Sequence, residues 1–194
     1  MPAGIDEDVL AAAQRGDGDA FAVIWRELSP VVVGYMAARG VSDPEGTTSD
    51  VFLTLLPRLR ELTGGVAGLR TFVFSVAHAR SVDDARRRAR RPPTVEFDPQ
   101  LHDGVHASAE SEALEQVGAA RIRALLGRLS SDHSEVLSLR IIGDLGVEQT
   151  GTVMGRSVGS VKQLQRRALI ALRAQIAEAG GVTESTADAI TELT

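Results

Sequence analysis

Apolar residues recur at three- and four-residue intervals along most of this 194-residue chain, and strand-like alternation of apolar and polar residues is scarce. Such a period places side chains on one face of an α-helix, so the pattern predicts an all-α protein with almost no sheet. The predicted helices of the first half span residues 6–15, 19–39, 49–62 and 67–90.

Local signals set the limits of these front helices. Asp19 is an expected N-cap, because its carboxylate can accept a backbone N–H at the start of a helix. The segment from Gly40 to Thr48 is typical of turns, and Pro57 should kink or shorten the helix that contains it. In the second half, helical periodicity returns from Ser111, and another helix is expected after Ser130.

Prolines and a change of charge divide the chain into two helical domains. Pro92 and Pro93 end the fourth helix, and residues 92–120 then contain six acids and no Lys or Arg. This composition predicts a solvated acidic linker, at least in its first half. The predicted organisation is a domain over 1–91, a linker over 92–112, a second domain over 113–179 and a polar tail over 180–194.

Composition narrows the class of protein. A hydrophobic content of 43% is sufficient for buried cores, and the absence of cysteine excludes disulfides and thiolate metal sites. The net charge is −5, so any basic surface must come from local concentration of cations. No signal-peptide pattern or run of about 18 apolar residues is visible, and we expect a cytoplasmic protein without membrane insertion.

One arrangement has the spacing of a metal site. His102 and His106, with Asp103 between them, are four residues apart, but they lie in the proline-bounded linker, where no helix fixes their geometry. A solvated role is favoured over metal binding. We therefore expect no catalytic residue, no metal and no cofactor.

The most informative stretch spans residues 129–172, where two helical patterns, the first predicted over residues 147–154, are joined by a Gly-containing turn. Five cations and no acid lie between Arg156 and Arg173, which attracts phosphates. Gly151 is expected where the two helices approach closely, since the first contains poor helix formers and must be held by packing. Ser157 is the expected N-cap of the second helix. Its predicted inward stripe is Val158, Val161, Leu164, Ala168 and Leu172, and its predicted outward face is Ser160, Lys162, Gln163, Arg166 and Arg167.

A second cluster of cations ends the fourth predicted helix. Residues 78–91 contain six arginines against Asp83 and Asp84, and Phe72 and Phe74 precede them. Aromatic rings beside guanidinium groups suit single-stranded DNA, because bases stack on rings while phosphates meet cations. The alternative is that Phe72 belongs to the core and that the arginines are a solvated helix end.

Four phrases in order resemble bacterial RNA polymerase sigma factors of the extracytoplasmic-function (ECF) group. The resemblance covers about Asp6 to Ala179, and together the order and spacing are more specific than any phrase alone. Ala11–Phe21 resembles "A-x-x-G-D-x-x-A-F", Ser49–Leu53 resembles "Q-E-V-F-L", Phe72–Asp83 resembles "W-L-x-x-I-A-R-N-x-x-x-D", and Gly159–Leu169 resembles "G-T-V-K-S-R-L-x-R-A-L".

The resemblance implies a role for each domain. The first would be sigma region 2, which docks on the polymerase clamp helices and opens the minus-10 promoter element. The second would be sigma region 4, which binds the minus-35 element and the polymerase flap. The implied polymerase-binding residues are Asp50, Val51, Phe52, Leu53 and Leu56. The minus-10 candidates are Arg70, Phe72, His78, Arg80, Arg86 and Arg87. The minus-35 candidates are Arg156, Ser157, Ser160, Lys162, Gln163, Arg166 and Arg167.

The resemblance also implies partners: RNA polymerase core, promoter DNA and an inhibitory anti-sigma protein. It implies that the linker enters the active-site and RNA-exit region of polymerase. The alternative interpretation is that the linker is a disordered tether. A stand-alone helix-turn-helix regulator is the alternative, and it predicts tight specific duplex binding without polymerase. The sigma-factor hypothesis requires two compact bundles that each present an arginine-bearing surface to one promoter.

Overall fold

The computed structural model describes residues 4–90 and 124–178, and these two ranges are helical, with no strand in either. This confirms the predicted all-α class. The acidic linker, the periodicity from Ser111, the His102–His106 spacing and the polar tail lie outside the described residues. In the front unit (4–90) the elements are α1 (Glu7–Gln14), α2 (Gly18–Ala38), α3 (Pro44–Leu55), a 3₁₀ segment (Leu56–Glu61) and α4 (Gly65–Arg90). In the back unit (124–178) residues 124–127 are helical, followed by α5 (Ser131–Leu137), a π-helical segment (Ser138–Ile142), α6 (Val147–Met154) and α7 (Val158–Glu178).

Aspartates begin the first three helices, and two of these starts differ from the prediction. The carboxylates of Asp6, Asp17 and Asp43 each accept hydrogen bonds from backbone N–H groups in the following turn. Asp17 is therefore the N-cap of α2, and the assignment of that role to Asp19 is wrong. Helix α3 begins at Pro44, not at residue 49, because a capping aspartate followed by proline at the first helical position starts a helix.

Helix α2 is the central element of the front unit. Ile24, Leu28, Val32, Tyr35 and Met36 lie on one face and are no more than 1% exposed. Helices α1, α3 and α4 pack around this face. By length and composition α2 alone among the described helices is apolar enough to cross a membrane, which the sequence interpretation did not anticipate, but a core helix meets the same criterion.

The back unit has a smaller core between α5 and α7. Val161, Ala168 and Leu172 of α7 are buried against Val136 and Leu126, as the predicted inward stripe requires. The same prediction is wrong for Val158, which is 39% exposed. Its position in the first turn of α7 places it beyond the edge of this core.

The two units pack on each other and share one hydrophobic core. Leu139 and Leu145 of the back unit are fully buried in the same cluster as α2 and α4. A Cβ added to Gly143 would lie 2.8 Å from the Leu139 carbonyl oxygen and 3.1 Å from the Phe74 ring, so glycine favours this close approach to α4. A Cβ added to Gly34 would lie 3.5 Å from Ile142. The bundles expected to present independent surfaces are thus in direct contact.

Candidate nucleic-acid interfaces

Helices α6 and α7 form the helix-turn-helix that the sequence predicts. Helix α6 ends at Gly155, whose φ of 63° lies in the left-handed region that favours glycine. The Ser157 hydroxyl accepts a hydrogen bond from the Ser160 backbone N–H at 3.3 Å, which confirms the predicted N-cap. A Cβ added to Gly151 would lie 2.8 Å from the Arg156 carbonyl oxygen, so the expected close approach is confirmed.

The outward face of α7 carries the predicted DNA-reading side chains. Lys162, Gln163, Arg166 and Arg167 are exposed, while Ser160 is half-buried. Amide and guanidinium groups on an exposed helix have the donor geometry to contact base edges and phosphates. This set therefore remains available in the packed arrangement of the two units.

Arg156 differs from the other minus-35 candidates. Its Nη2 lies 2.6 Å from Asp132 Oδ2, in an ion pair between the turn and α5. Both side chains are substantially exposed, so water and salt screen the pair. The contact orients Arg156 without removing it from solvent.

Beside this face, α7 borders an open groove of about 570 Å³. Arg140 from the π-helical segment approaches α7 there, and its Nε donates to Gln165 Oε1 at 3.2 Å. The residues lining the groove include four cations and no acid, which favours a negatively charged occupant. They are Arg140, Val147, Lys162, Gln165, Arg166, Leu169, Ile170 and Arg173.

The minus-10 candidates all lie on α4 but have different surroundings. Arg86 and Arg87 are exposed on its last turns, and Arg80 is half-buried. Phe72 is half-buried and packs against the front core, as the alternative interpretation of this residue expected. Arg88, which was not among the candidates, is held by Asp84 at 2.9 Å.

Asp84 connects the end of α4 to the turn between α2 and α3. It is buried and accepts hydrogen bonds from the Ser42 hydroxyl and from Arg88 Nε, each at 2.9 Å. Burial would raise the pKa of Asp84, but these hydrogen bonds and the Arg88 charge lower it below its ordinary value. Through Asp84, the arginine-rich end of α4 is therefore held against the rest of the front unit.

Two minus-10 candidates are engaged by the back unit. Arg70 Nη2 donates to the Gly143 carbonyl oxygen at 2.8 Å and lies 3.9 Å from Asp144. His78 Nδ1 lies 2.9 Å from Glu135 Oε1. Because a carboxylate only accepts hydrogen bonds, the imidazole must carry its proton on Nδ1 for this contact.

Glu135 is the centre of the polar contacts between the units, and the sequence interpretation missed its role. It is 3% exposed. The Tyr35 hydroxyl donates to Oε1 at 2.5 Å, and Arg39 Nη2 lies 2.8 Å from Oε2. The only sequence signal was a glutamate followed by the apolar run Val136, Leu137 and Leu139.

Some buried polar atoms around Glu135 lack a hydrogen-bond partner among the described residues. Arg39 also donates to the Ser131 carbonyl oxygen at 3.1 Å, but its buried Nε has no acceptor among the described residues. Burial would raise the pKa of Glu135, but the hydrogen bond from His78, the Arg39 charge and the Tyr35 hydroxyl lower it below its ordinary value. Burial and the nearby carboxylate raise the pKa of Tyr35 well above its ordinary value. Glu135 is thus an ionised carboxylate in a buried interface.

The polymerase-binding candidates fall into an exposed group and a buried group. Asp50, Leu53 and Leu56 are exposed, and the two leucines are 68% and 52% exposed. Val51 and Phe52 are 0% and 3% exposed and lie in the core, so their assignment to polymerase binding stays a prediction. At helical spacing they lie on the opposite face of α3 from Leu53 and pack in the core.

Trp25 on α2 is a further exposed apolar side chain of the front unit. It is 39% exposed, and its ring meets the Phe52 ring edge-on with centroids 4.6 Å apart. Phe52 therefore supports the Trp25 ring from the core.

Comparison with known proteins identifies the family. Residues 125–174 match the family model for sigma-70 region 4. The ECF RNA polymerase sigma factor SigD of Mycobacterium tuberculosis is 31% identical over 183 residues, covering 89% of this chain and 84% of SigD. ShbA, an ECF RNA polymerase sigma factor of Streptomyces griseus, is 30% identical over 177 residues, covering 84% of this chain and 90% of ShbA.

The fold has a counterpart among solved structures. CnrH, determined in complex with the cytosolic domain of CnrY, matches with a TM-score of 0.61 and 20% identity, over 91% of this chain and 99% of CnrH. The order of elements, the helix-turn-helix and the similarity to SigD and ShbA lead to one conclusion: the chain belongs to the family of ECF RNA polymerase sigma factors.

Proposed function

We propose that this sigma factor directs RNA polymerase core to specific promoters by reading duplex DNA with α7 and holding an opened strand on α4. The single observation that supports this most strongly is the helix-turn-helix inside the region 4 match, with its cation-bearing face exposed. It acts in the cytoplasm, where polymerase works, and has no catalytic residues of its own.

Duplex recognition is assigned to the exposed face of α7. Gln163 can donate to and accept from a base edge, and Arg166 and Arg167 can each bond guanine or phosphate bidentately. Lys162 adds a phosphate contact. Arg156, Ser157 and Ser160 at the start of α7 complete the proposed minus-35 set.

Strand holding is assigned to α4. Arg86 and Arg87 supply exposed guanidinium groups for phosphates, whereas Arg70 and His78 lie toward the face that packs on the back unit. Phe72 and Arg80 complete the proposed set, with Phe72 acting from a half-buried position. A chain of cations along one helix suits a single strand, because its phosphates follow one another at regular spacing.

Polymerase binding is assigned to Asp50, Leu53 and Leu56, and Trp25 is added to this set. Large apolar side chains that are exposed, as Trp25, Leu53 and Leu56 are in the front unit, are typical of protein-binding surfaces. Val51 and Phe52 serve as buried support for this surface. The other proposed partner is an inhibitory protein, which is supported by the fact that CnrH was determined in complex with the cytosolic domain of CnrY.

Reconstitution with purified core polymerase tests this function. The chain should co-elute with core polymerase, and Leu53→Asp should weaken the complex because a charge replaces a side chain that is 68% exposed. Arg15→Ala is the matched control, an exposed residue outside every proposed surface. A chain that binds duplex promoter DNA tightly alone, and never co-elutes with polymerase, would favour the stand-alone regulator.

A further inference from the structure

We propose that the packed arrangement of the two units is a self-inhibited state, in which the back unit covers the strand-holding face of α4 and Glu135 holds it closed. The inference rests on the proposed role of α4. Its starting observation is that Arg70 and His78, two proposed strand contacts, are bonded to Gly143 and Glu135 of the back unit.

Contacts between the back unit and α4 continue along the first half of this helix. The Gln149 side chain donates to the Ala67 carbonyl oxygen at 2.9 Å and to the Thr71 hydroxyl at 3.1 Å. The same amide accepts from the Gly146 backbone N–H at 2.8 Å and so caps α6. One side chain therefore stabilises the start of the helix-turn-helix and its contact with α4. A DNA strand laid along this face would have to displace these contacts.

Glu135 acts as the latch because it connects three side chains of the front unit. Tyr35 and Arg39 come from α2, and His78 comes from α4. A carboxylate that is buried among donors binds them strongly only while it is charged. Among the residues that the structure describes, the buried Arg39 Nε has no acceptor, and an unsatisfied donor in the closed state lowers the cost of opening.

In the closed state the two proposed DNA-binding surfaces differ in their accessibility. Lys162, Arg166 and Arg167 remain exposed, while Arg70 and His78 are engaged. The closed protein can thus meet duplex DNA but has no open face for a separated strand. Opening is required before one molecule contacts both promoter elements.

A reversible cross-link tests the closed state directly. A Cβ at position 34 would lie 3.5 Å from Ile142 Cγ2, so the two side chains meet across the contact between the units, as a disulfide between these positions requires. The chain has no cysteine, so Gly34→Cys with Ile142→Cys forms a single bridge between the units. Neither residue belongs to a proposed binding surface.

The expected result is redox-dependent inhibition. With core polymerase and genomic DNA, the oxidised double variant should start transcription at least about tenfold less than the same protein after reduction, which should match the unsubstituted chain. Equal transcription from oxidised and reduced protein overturns the self-inhibited state. If neither the reduced variant nor the unsubstituted chain supports transcription, the proposed function fails, and the latch is then judged by the distance measurement alone.

The distance measurement tests the latch without polymerase. Fluorophores on Ser49→Cys and Thr152→Cys, both exposed, report the separation of the units by energy transfer. Glu135→Gln should raise the separated fraction by about tenfold, since losing charge-assisted hydrogen bonds shifts such an equilibrium by about one power of ten or more. Arg39→Gln, which breaks the same ion pair from α2, should have an effect in the same direction.

Asp132→Asn is the matched control. It removes an ion pair of 2.6 Å within the back unit, and it lies outside the contact between the units. Energy transfer should be unchanged in this variant. If Glu135→Gln and Arg39→Gln, with helix content intact by circular dichroism, give the same energy transfer as Asp132→Asn, Glu135 is not the latch.

Discussion

Leu145→Ala should destabilise the front unit, although Leu145 belongs to the back unit. The side chain is 0% exposed and lies in the hydrophobic cluster formed by α2 and α4. Truncation of a fully buried leucine to alanine costs about 2–5 kcal/mol, from lost burial and from the cavity that remains. If the two units unfold together, the free energy of unfolding of the front unit falls by this whole amount, although its residues are far from Leu145 in the sequence.

The assay is urea unfolding followed by tryptophan fluorescence. Trp25 is the only tryptophan and lies in the front unit beside Phe52. Its unfolding transition in Leu145→Ala should report a free energy of unfolding lower by about 2–5 kcal/mol, with fluorescence and circular dichroism transitions coinciding.

Leu53→Ala is the control for this measurement. The same atoms are removed from a side chain that is 68% exposed, so the free energy of unfolding should change by no more than about 0.5 kcal/mol. The reasoning is refuted if the Trp25 transition in Leu145→Ala matches that of the unsubstituted chain while circular dichroism shows the back unit unfolding early. That result would mean that the shared core contributes nothing to the front unit.

Three further results are expected. Arg167→Ala should lower the slope of log binding constant against log salt by about one phosphate contact on duplex promoter DNA, with Arg15→Ala unchanged; an unaltered slope would place Arg167 away from DNA. Gly151→Ala should weaken duplex binding and lower stability by about 1–3 kcal/mol, because the new methyl group meets the Arg156 carbonyl; calorimetry and gel shift measure both, and a neutral effect would contradict the close approach. The pKa of Glu135 is lowered in the folded state, so its contribution is complete above the ordinary glutamate pKa of about 4.3 and is lost as pH falls through the lower folded value. Energy transfer between the units should therefore drop on acidification, and no drop, or the same drop in Glu135→Gln, would contradict this.

The helix-turn-helix could be predicted from sequence because its signals are local. Gly155 ends α6, Ser157 caps α7, and the spacing of Val161, Ala168 and Leu172 defines the buried face, all within one short stretch of chain. The bounds of α6, residues 147–154, were also predicted correctly despite its poor helix formers. Tertiary packing, which places Thr150 and Gly151 in buried positions, supports them.

The contact between the units could not be predicted in the same way. Tyr35 and Glu135 are one hundred residues apart, and His78 and Glu135 are 57 apart. Helical periodicity identifies which face is buried but not what covers it. For the same reason Val51 and Phe52 matched a polymerase-binding motif by sequence, whereas packing assigns them to the core.

Capping errors in the front unit have a local cause. Asp17 and Asp19 are both acceptable caps by residue type, and only the backbone decides between them: Asp17 has the extended conformation of an N-cap. The start of α3 was predicted too late because Gly46 is typical of a turn, whereas this position is helical. Its backbone N–H is bonded to Asp43 at 2.9 Å, so the cap outweighs the low helix propensity of glycine.

Run-off transcription with core polymerase tests the central claim most directly. Genomic DNA of the bacterium that encodes the chain serves as template, and transcript starts are mapped for core alone, chain alone and the two together. The account predicts a small set of defined starts only when both are present, with a strong reduction for Leu53→Asp and Arg166→Ala. Identical starts from core polymerase with and without the chain would contradict it.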